Sequence, residues 1–278
     1  MSIGAFGDRW YDIGISNGKN AIKEGVEWGH AITGEFAKEV MDRDNYSVVF
    51  IQANETSTGV YNPIDKVVSI LKDYGTLVCV DATSSMAGVK VEVDKLGIDV
   101  CLASVQKCFA LPPGLAICSV SDAAFEKAEK VKNRGFYFDF IGLKKRNAKH
   151  QTPTTPPIPQ IRGLTAQLDY ILNEEGLEKR FERHEQLGRR TREWVHEMNL
   201  KMFPENGYES NTVSTISNSL NLDIPKMISM LLEKGYRIVN GYGNLVNKTF
   251  RIGHMGEINL NDLEKMLKVL TEIIKELK

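Results

Sequence analysis

Residues 76–107, TLVCVDATSSMAGVKVEVDKLGIDVCLASVQK, contain two short apolar runs, and each run is followed by polar residues. The runs TLVCVDA and IDVCLAS lack the alternation of apolar and polar residues that a half-exposed strand shows. Strands that are buried on both faces have this composition. The segment between the runs is long enough for a crossover, so the two runs predict neighbouring parallel strands.

The same pattern extends to both sides of this stretch. YSVVFIQA at 46–53 predicts an earlier strand, IDKVVSILKDYG at 64–75 has helical spacing, and GLAICSV at 114–120 predicts a later strand. Strands that alternate with helices or crossovers predict an α/β domain with a mainly parallel sheet. Such a sheet carries its functional groups at the carboxyl ends of its strands.

The following part of the chain is mainly helical. SDAAFEKAEKVKN at 121–133 begins with a Ser-Asp cap and predicts a helix. The proline-rich HQTPTTPPIPQ at 150–160 predicts an irregular loop, and residues 161–199 predict one long helix or two consecutive helices. A last helix carries an apolar stripe, with Asn261 and Glu264 spaced as a capping box.

Strands are also predicted near the C-terminus, within residues 212–222 and 248–255, with a helical segment between them. This arrangement differs from the regular alternation of the first half. We therefore predict a large domain over residues 1–175 and a small α+β domain over residues 176–278.

The composition limits the possible classes of function. The 278 residues include 35 Lys and Arg against 36 Asp and Glu, a net charge of -1, so no broadly basic nucleic-acid surface is expected. No apolar run reaches the roughly 18 residues of a membrane span, and the start MSIGAFGDRWYDIG has a turn-like GAFG in place of a signal-peptide pattern. Four cysteines without a C-x-x-C pair predict buried, reduced thiols and no metal site. We expect a cytoplasmic protein without a membrane or nucleic-acid partner.

Two residues at the ends of the predicted strands suggest chemistry. Asp81 can accept a charge-assisted hydrogen bond from a protonated heterocyclic nitrogen, although it could also cap the following turn. Lys107 can form a Schiff base with a carbonyl if its amine is partly desolvated, although a solvent-exposed loop lysine is the alternative. An aspartate and a lysine are the two protein partners that pyridoxal phosphate needs, one for its ring nitrogen and one for its aldehyde.

The segment VDATSSMAGVKVEVDKLGIDVCLASVQKCFALPPGLA at 80–116 resembles the class V aminotransferases of fold type I, in particular the alanine-glyoxylate, serine-glyoxylate and serine-pyruvate group. Further motifs occur in the order of that family: GAFGDRW at 4–10, NETSTGVYNPI at 54–64, HQTPTTPPI at 150–158 and FRIGHMG at 250–256. The resemblance implies a large domain with the fold type I sheet, a small C-terminal domain and pyridoxal 5'-phosphate as the cofactor.

The resemblance also implies roles for individual residues. Lys107 would form the Schiff base and shuttle a proton, while Asp81 would hold the pyridinium nitrogen. The other implied cofactor-binding residues of this subunit are Phe6 on the ring face, Thr83 beside the ring, Thr56, and Ser104 and Gln106 at the phosphate. Thr155 would reach the phosphate of the neighbouring subunit, which implies a homodimer with shared sites, and Arg251 would grip the substrate carboxylate. The structural alternatives are a core position for Phe6 and an edge or ion-pair role for Arg251.

The activity implied by the resemblance is a ping-pong transamination from alanine or serine to glyoxylate or pyruvate. The family also implies a further N-terminal segment, with a helix that holds the cofactor phosphate, so the large domain is expected to be incomplete at its N-terminus. Two other hypotheses remain open at this point. One is a different fold type I enzyme, a cysteine desulfurase or a lyase, and the other is an inactive truncated chain that pairs with a partner subunit.

Overall fold

The structure is a computed structural model that describes residues 1–278. Its strands are β1 (Val48–Gln52), β2 (Asn54–Glu55), β3 (Val60–Tyr61), β4 (Leu77–Asp81), β5 (Val100–Ser104), β6 (Ala116–Val120), β7 (Lys201–Met202), β8 (Val213–Ser217), β9 (Val239–Asn240) and β10 (Thr249–Gly253). Its helices are α1 (Ala5–Ser16), α2 (Gly34–Arg43), α3 (Ile64–Asp73), α4 (Val93–Leu96), α5 (Asp122–Glu129), α6 (Phe140–Asn147), α7 (Ile158–Asp169), α8 (Leu177–Glu197), α9 (Ile224–Glu233) and α10 (Leu260–Leu277).

A four-stranded sheet in the order β1-β4-β5-β6 organises the first half of the chain. Strands β1, β4 and β5 are parallel and β6 is antiparallel to β5, so the sheet is mainly parallel. The register places Asp81 beside Gln52 on one side and Leu102 on the other. Three strands therefore end at one edge of the sheet, and Asp81 lies in the middle of that edge.

A second sheet, β7-β8-β10-β9, is fully antiparallel and carries helices α8, α9 and α10. The helices pack their apolar faces on this sheet to form one core, drawn from residues 187–274. A separate core, drawn from residues 3–101, lies around the first sheet with α2 and α3. A third, smaller cluster, drawn from residues 87–171, lies around the loop after β5. The proposed boundary at 175/176 falls between the core of the second sheet and the other two.

Two segments predicted as irregular are partly helical. The GAFG turn is the first turn of α1, because the side chains of Glu55 and Ser57 accept hydrogen bonds from its N–H groups. The proline-rich loop ends at Pro157, because Pro159 lies in the first turn of α7, where a missing N–H is tolerated. Neither effect is visible in the local sequence pattern.

After residue 157 the two-helix alternative is the one observed, and the predicted cap of the last helix is not. The helical stretch is two helices: a π-helical segment, Tyr170–Glu175, extends α7, and Gly176 at φ 84° separates it from α8. The predicted capping box of α10 is wrong, because the N-cap is Asn259, whose side chain accepts from the N–H of Asp262. Glu264 instead forms an ion pair with Arg190 of α8.

All four cysteines are unpaired. Cys118 is exposed on β6, contrary to the prediction of a buried thiol, because β6 is the edge strand of its sheet. None of the helices combines the length and the apolar composition needed to cross a membrane.

Candidate active site

A cavity of about 480 Å³ opens at the carboxyl ends of β4 and β5 and is closed on one side by α1. Its volume lies in the range of small-molecule sites, roughly 300–1,000 Å³. Seven of the nine predicted site residues line it: Phe6, Thr56, Asp81, Thr83, Ser104, Gln106 and Lys107. The residues at and after the ends of β4 and β5 meet because these strands end at one edge of the sheet, and α1 adds Phe6 from the start of the chain.

Asp81 combines the two roles considered for it. Its Oδ1 accepts a hydrogen bond of 2.9 Å from the N–H of Thr83 and so holds the turn after β4. Its Oδ2 accepts a hydrogen bond of 3.0 Å from Nε1 of Trp10, which also lines the cavity. The carboxylate is therefore fixed from both sides while it faces the cavity.

Lys107 lies in the loop after β5 and forms no ion pair. Burial lowers the pKa of its amine, and the positive charge of Arg251 lowers it further. Deprotonating a lysine with a lowered pKa costs less free energy, so the neutral, nucleophilic amine forms more readily. The next residue, Cys108, is buried, and burial raises the pKa of its thiol to about 12.

Arg180 holds the lysine loop from the outside and was not found by sequence reasoning. Its side chain is fully buried, its Nη2 donates to the carbonyl of Cys108 at 2.6 Å, and its Nε donates to the carbonyl of Ala87 at 3.0 Å. Glu175 and Glu257 supply the negative charge that a buried guanidinium needs. One side chain of α8 thus joins the segments that follow Asp81 and Lys107 along the chain, and only its long-range partners distinguish it from the other arginines of α8.

Helix α1 is anchored by Glu55, a fully buried residue of β2. Oε2 of Glu55 accepts from the N–H groups of Gly7 at 2.9 Å and Phe6 at 3.2 Å, which have no partner within the helix. Burial raises the pKa of Glu55, and hydrogen bonds from Ser57 and from this helix end counteract that effect. Because Phe6 and Trp10 are four residues apart, the anchored helix presents both to the cavity.

Arg251 does not line the cavity itself but lies directly behind Thr56. Its Nη1 donates to the carbonyl of Thr56 at 3.1 Å, and its Nε donates to the carbonyl of Asn240 at 3.2 Å. It forms no ion pair, so the ion-pair alternative is not realised. Thr155 is exposed in the loop before α7 and does not line the cavity of its own chain.

Ser84 is a further residue that sequence reasoning missed. Its hydroxyl accepts hydrogen bonds from Nδ2 of Asn54 at 2.7 Å and from the hydroxyl of Thr56 at 2.8 Å. The other side-chain atom of Asn54, Oδ1, is buried without a hydrogen-bond partner. Ser84 thus links Asn54 and Thr56, two residues of the cavity lining.

A parallel sheet that brings an aspartate and a partly desolvated lysine to one cavity, closed by a helix with aromatic side chains, defines a pyridoxal-phosphate-dependent aminotransferase of fold type I. Residues 26–243 match the family model described as Aminotransferase class-V. The chain belongs to the class V aminotransferase family.

Named relatives agree with that family. An uncharacterised aminotransferase of Methanocaldococcus jannaschii is 39% identical over 279 residues, which cover 99% of this chain and 72% of the relative. The serine–glyoxylate aminotransferase of Methylorubrum extorquens is 33% identical over 92% of this chain and 67% of its own length. The crystal structure of an alanine–glyoxylate aminotransferase from Nostoc sp. superposes with a TM-score of 0.93 at 25% identity, covering 98% of this chain and 74% of that one.

The residues present fit pyridoxal phosphate, the cofactor of this family. Asp81 offers a fixed carboxylate for a protonated ring nitrogen, and Lys107 offers an amine with a lowered pKa for the aldehyde. Phe6 supplies an aromatic wall, and the polar side chains of Ser104 and Gln106 also line the cavity, at the end of β5 and after it. These groups are the chemical complement of a charged pyridine ring with a phosphate arm.

Proposed function

We propose that the chain catalyses a ping-pong transamination between a small amino acid, alanine or serine, and a 2-oxo acid, glyoxylate or pyruvate. The observation that carries the proposal is the cavity shared by Asp81 and Lys107, with Arg251 behind its wall. The names of the Methylorubrum and Nostoc proteins support glyoxylate as the acceptor. Atoms balance over the cycle, since the amine of one substrate becomes the amine of the other product.

The proposed roles follow from the chemistry of each side chain. When bound, pyridoxal phosphate supplies an aldehyde for the amine and a ring that withdraws electrons from Cα. Asp81 would hold the ring nitrogen and Phe6 the ring face. Nζ of Lys107 would take the proton from Cα of the amino acid and later return a proton, for which an amine with a lowered pKa is suited.

The remaining residues would hold the phosphate and the substrate. We assign Ser104 and Gln106 to the phosphate, with Thr56 and Thr83 beside the cofactor. Arg251 would bind the substrate carboxylate: two of its nitrogens are fixed by backbone carbonyls, which orients the guanidinium and leaves Nη2 for the ligand.

The test of this function is spectroscopic and chemical. The purified protein with pyridoxal phosphate should show a visible absorbance band that shifts when alanine or serine is added, and Lys107→Ala should lack that band. Lys90→Ala, which changes an exposed lysine paired only with Glu92, should behave as wild type. With glyoxylate present, alanine should yield pyruvate and glycine. Release of ammonia or sulfide without amine transfer would contradict the proposal and favour the lyase or desulfurase.

We further propose a cytoplasmic homodimer in which Thr155 binds the phosphate in the partner subunit. The exposure of Thr155 and its absence from its own cavity support this arrangement. Mixing Thr155→Ala and Lys107→Ala subunits should restore activity, because one of the two mixed sites then holds both native residues. Equal inactivity of the mixture and the separate variants would contradict a shared site.

A further inference from the structure

Tyr242 lies in the connection between β9 and β10 and has no role in the function proposed above. It does not line the cavity, yet its side chain contacts two residues that are assigned to ligands there. The rings of Phe6 and Tyr242 are stacked, with centres 5.5 Å apart and an angle of 16° between their planes. The guanidinium carbon of Arg251 lies 5.7 Å from the centre of the same tyrosine ring. One side chain thus connects the proposed wall of the cofactor ring with the proposed carboxylate-binding arginine.

The ring of Tyr242 is itself fixed from the side of α1. Nη2 of Arg9, one turn after Phe6, donates a hydrogen bond of 2.8 Å to the hydroxyl of Tyr242. The guanidinium carbon of Arg9 also lies 5.0 Å from the ring centre of Phe6. Stacking and a hydrogen bond together restrict the torsions that a tyrosine side chain can vary. The ring is therefore held in place by a helix that lies 233 positions earlier in the chain.

No carboxylate forms an ion pair with the guanidinium of Arg251. Its Nε and Nη1 donate to the backbone carbonyls of Asn240 and Thr56. Burial lowers the pKa of this guanidinium, so the cation is partly removed from water. The face of an aromatic ring stabilises a cation, and it does so more strongly where water is excluded. Tyr242 therefore supplies a third contact to Arg251, in addition to the two carbonyls.

We propose that Tyr242 is a positioning residue that holds Arg251 in the orientation in which it binds the substrate carboxylate. The inference rests on the proposed transamination, in which Arg251 grips the amino acid and Phe6 lies against the cofactor ring. Because Tyr242 contacts both residues, it sets the place of the carboxylate relative to the ring face. A guanidinium that is held in place beforehand loses less entropy when it binds a carboxylate, so the contribution of Tyr242 belongs to substrate affinity.

The binding test separates the two polar groups of alanine. Propionate carries the carboxylate without the amine, and ethylamine carries the amine without the carboxylate. Both are titrated into the cofactor-loaded protein, propionate by calorimetry and ethylamine by absorbance. Tyr242→Leu should weaken propionate binding about 3–10-fold, the size of a lost cation–π contact, and should change ethylamine binding less than about twofold. Tyr242→Phe keeps the ring and removes only the hydroxyl, so it should lose less affinity for propionate than Tyr242→Leu.

The matched control is Tyr74→Leu, because the hydroxyl of Tyr74 donates a hydrogen bond to Asp42 outside the cavity. This variant should bind propionate as the wild type does. Unchanged propionate binding in Tyr242→Leu, or equal losses for propionate and ethylamine, would overturn the role of Tyr242. A Tyr242→Phe variant that binds propionate as weakly as Tyr242→Leu would also overturn it, since the hydroxyl and Arg9 would then be the decisive groups. A wild-type protein that does not bind propionate would have the same consequence.

Steady-state kinetics separate substrate affinity from chemistry. In Tyr242→Leu, KM for alanine should rise about 3–10-fold while kcat stays within about twofold of wild type, because the lost interaction is made equally in the ground state and the transition state. A fall in kcat at unchanged KM would contradict the assigned role. If the wild-type protein transfers no amine from any donor, the proposed transamination fails, whereas the propionate titration still decides whether Tyr242 supports a carboxylate site at Arg251.

Discussion

At the scale of single residues, the environment of Asp81 explains why this carboxylate can serve a heterocyclic ligand. The N–H of Thr83 and the indole of Trp10 are neutral donors, so they orient the carboxylate and stabilise its charge without cancelling it. Trp10 is itself fixed by stacking on Phe50 of β1, with ring centres 5.1 Å apart. The hydrogen bond from Trp10 should therefore contribute to cofactor affinity.

Trp10→Phe tests this contribution, because it keeps an aromatic ring on Phe50 and removes only the donor. We expect cofactor affinity to fall by about 3–10-fold, which corresponds to about 0.6–1.4 kcal/mol, the size of one ordinary hydrogen bond. The measurement is a titration of cofactor-free protein with pyridoxal phosphate, followed by absorbance. Trp194→Phe is the control, because it removes an indole hydrogen bond to Thr271 in the other core. Unchanged or tighter binding by Trp10→Phe would contradict the assigned role.

The sequence was sufficient to predict which residues meet when they lie at the ends of strands that neighbour each other in the sheet. Asp81 and Lys107 follow adjacent parallel strands, so their meeting at one edge follows from strand order. Trp10 and Arg180 could not be predicted, because each acts through a contact with a distant part of the chain. A tryptophan or arginine in a helical stretch carries no sign of such a contact.

At the scale of elements, α1 depends on a side chain that lies in a different element. A helix begins with N–H groups that lack partners, and the residue before this helix, Gly4, has no side chain to supply one. Glu55 replaces the local cap, and the space is tight: a Cβ on Gly4 would come within 2.5 Å of Cγ of Glu55. This is why GAFG resembles a turn in the sequence and forms a helix in the structure.

Glu55→Gln should therefore destabilise the protein and loosen the cavity wall that carries Phe6. The amide of glutamine places a donor among N–H and O–H donors, at a cost of about 1–3 kcal/mol. Urea denaturation measures the change in the free energy of unfolding. Glu39→Gln, an exposed change that breaks an ion pair with Arg43, should cost less than about 1 kcal/mol. Similar losses in the two variants would argue against the cap.

Other elements show the same distinction between local and long-range signals. The strands around Asp81 and the stripe of α10 were predictable, since burial imposes their periodicity on the sequence. The prediction placed the cap of α10 two residues too late, because the spacing of Asn261 and Glu264 fits a capping box. In the structure Glu264 pairs with Arg190 and Asn259 is the cap. Local spacing cannot show which of two available partners a side chain takes.

At the scale of the whole molecule, two buried histidines connect stability to pH. Burial lowers the pKa of His184 to about 4 and that of His254 to about 3, from an ordinary value of 6.5. The N–H of Gly256 donates to Nε2 of His184 at 3.1 Å, and the carbonyl of Arg180 lies 2.8 Å from its Nδ1, so the ring is held neutral. The cations of Arg180 and Arg183 lower its pKa further, while Glu175 raises it.

Both histidines should make the protein less stable as the pH falls. Below pH 6.5 the unfolded chain binds protons at these sites and the folded chain does not, so the stabilisation is complete above pH 6.5 and is lost towards pH 4 and below. In this window each histidine lowers the free energy of unfolding by up to about 1.4 kcal/mol for each pH unit that the pH falls. Urea denaturation between pH 7.5 and 5 measures the slope, which His184→Gln should reduce. The exposed control His196→Gln should keep the wild-type slope, and an unchanged slope in His184→Gln would contradict the prediction.

The contacts of Arg180 have a consequence for protein engineering. The carbonyls of Ala87 and Cys108 are backbone groups that any relative can supply, whereas Arg180 and its acidic partners Glu175 and Glu257 act through their side chains. In a chimera with a relative, the geometry of the lysine loop would thus be inherited from the half that does not contain the lysine. A crossover point placed before residue 175 would keep Arg180 with both acids. A crossover point between 180 and 257 would separate Glu257 from Arg180 and Glu175.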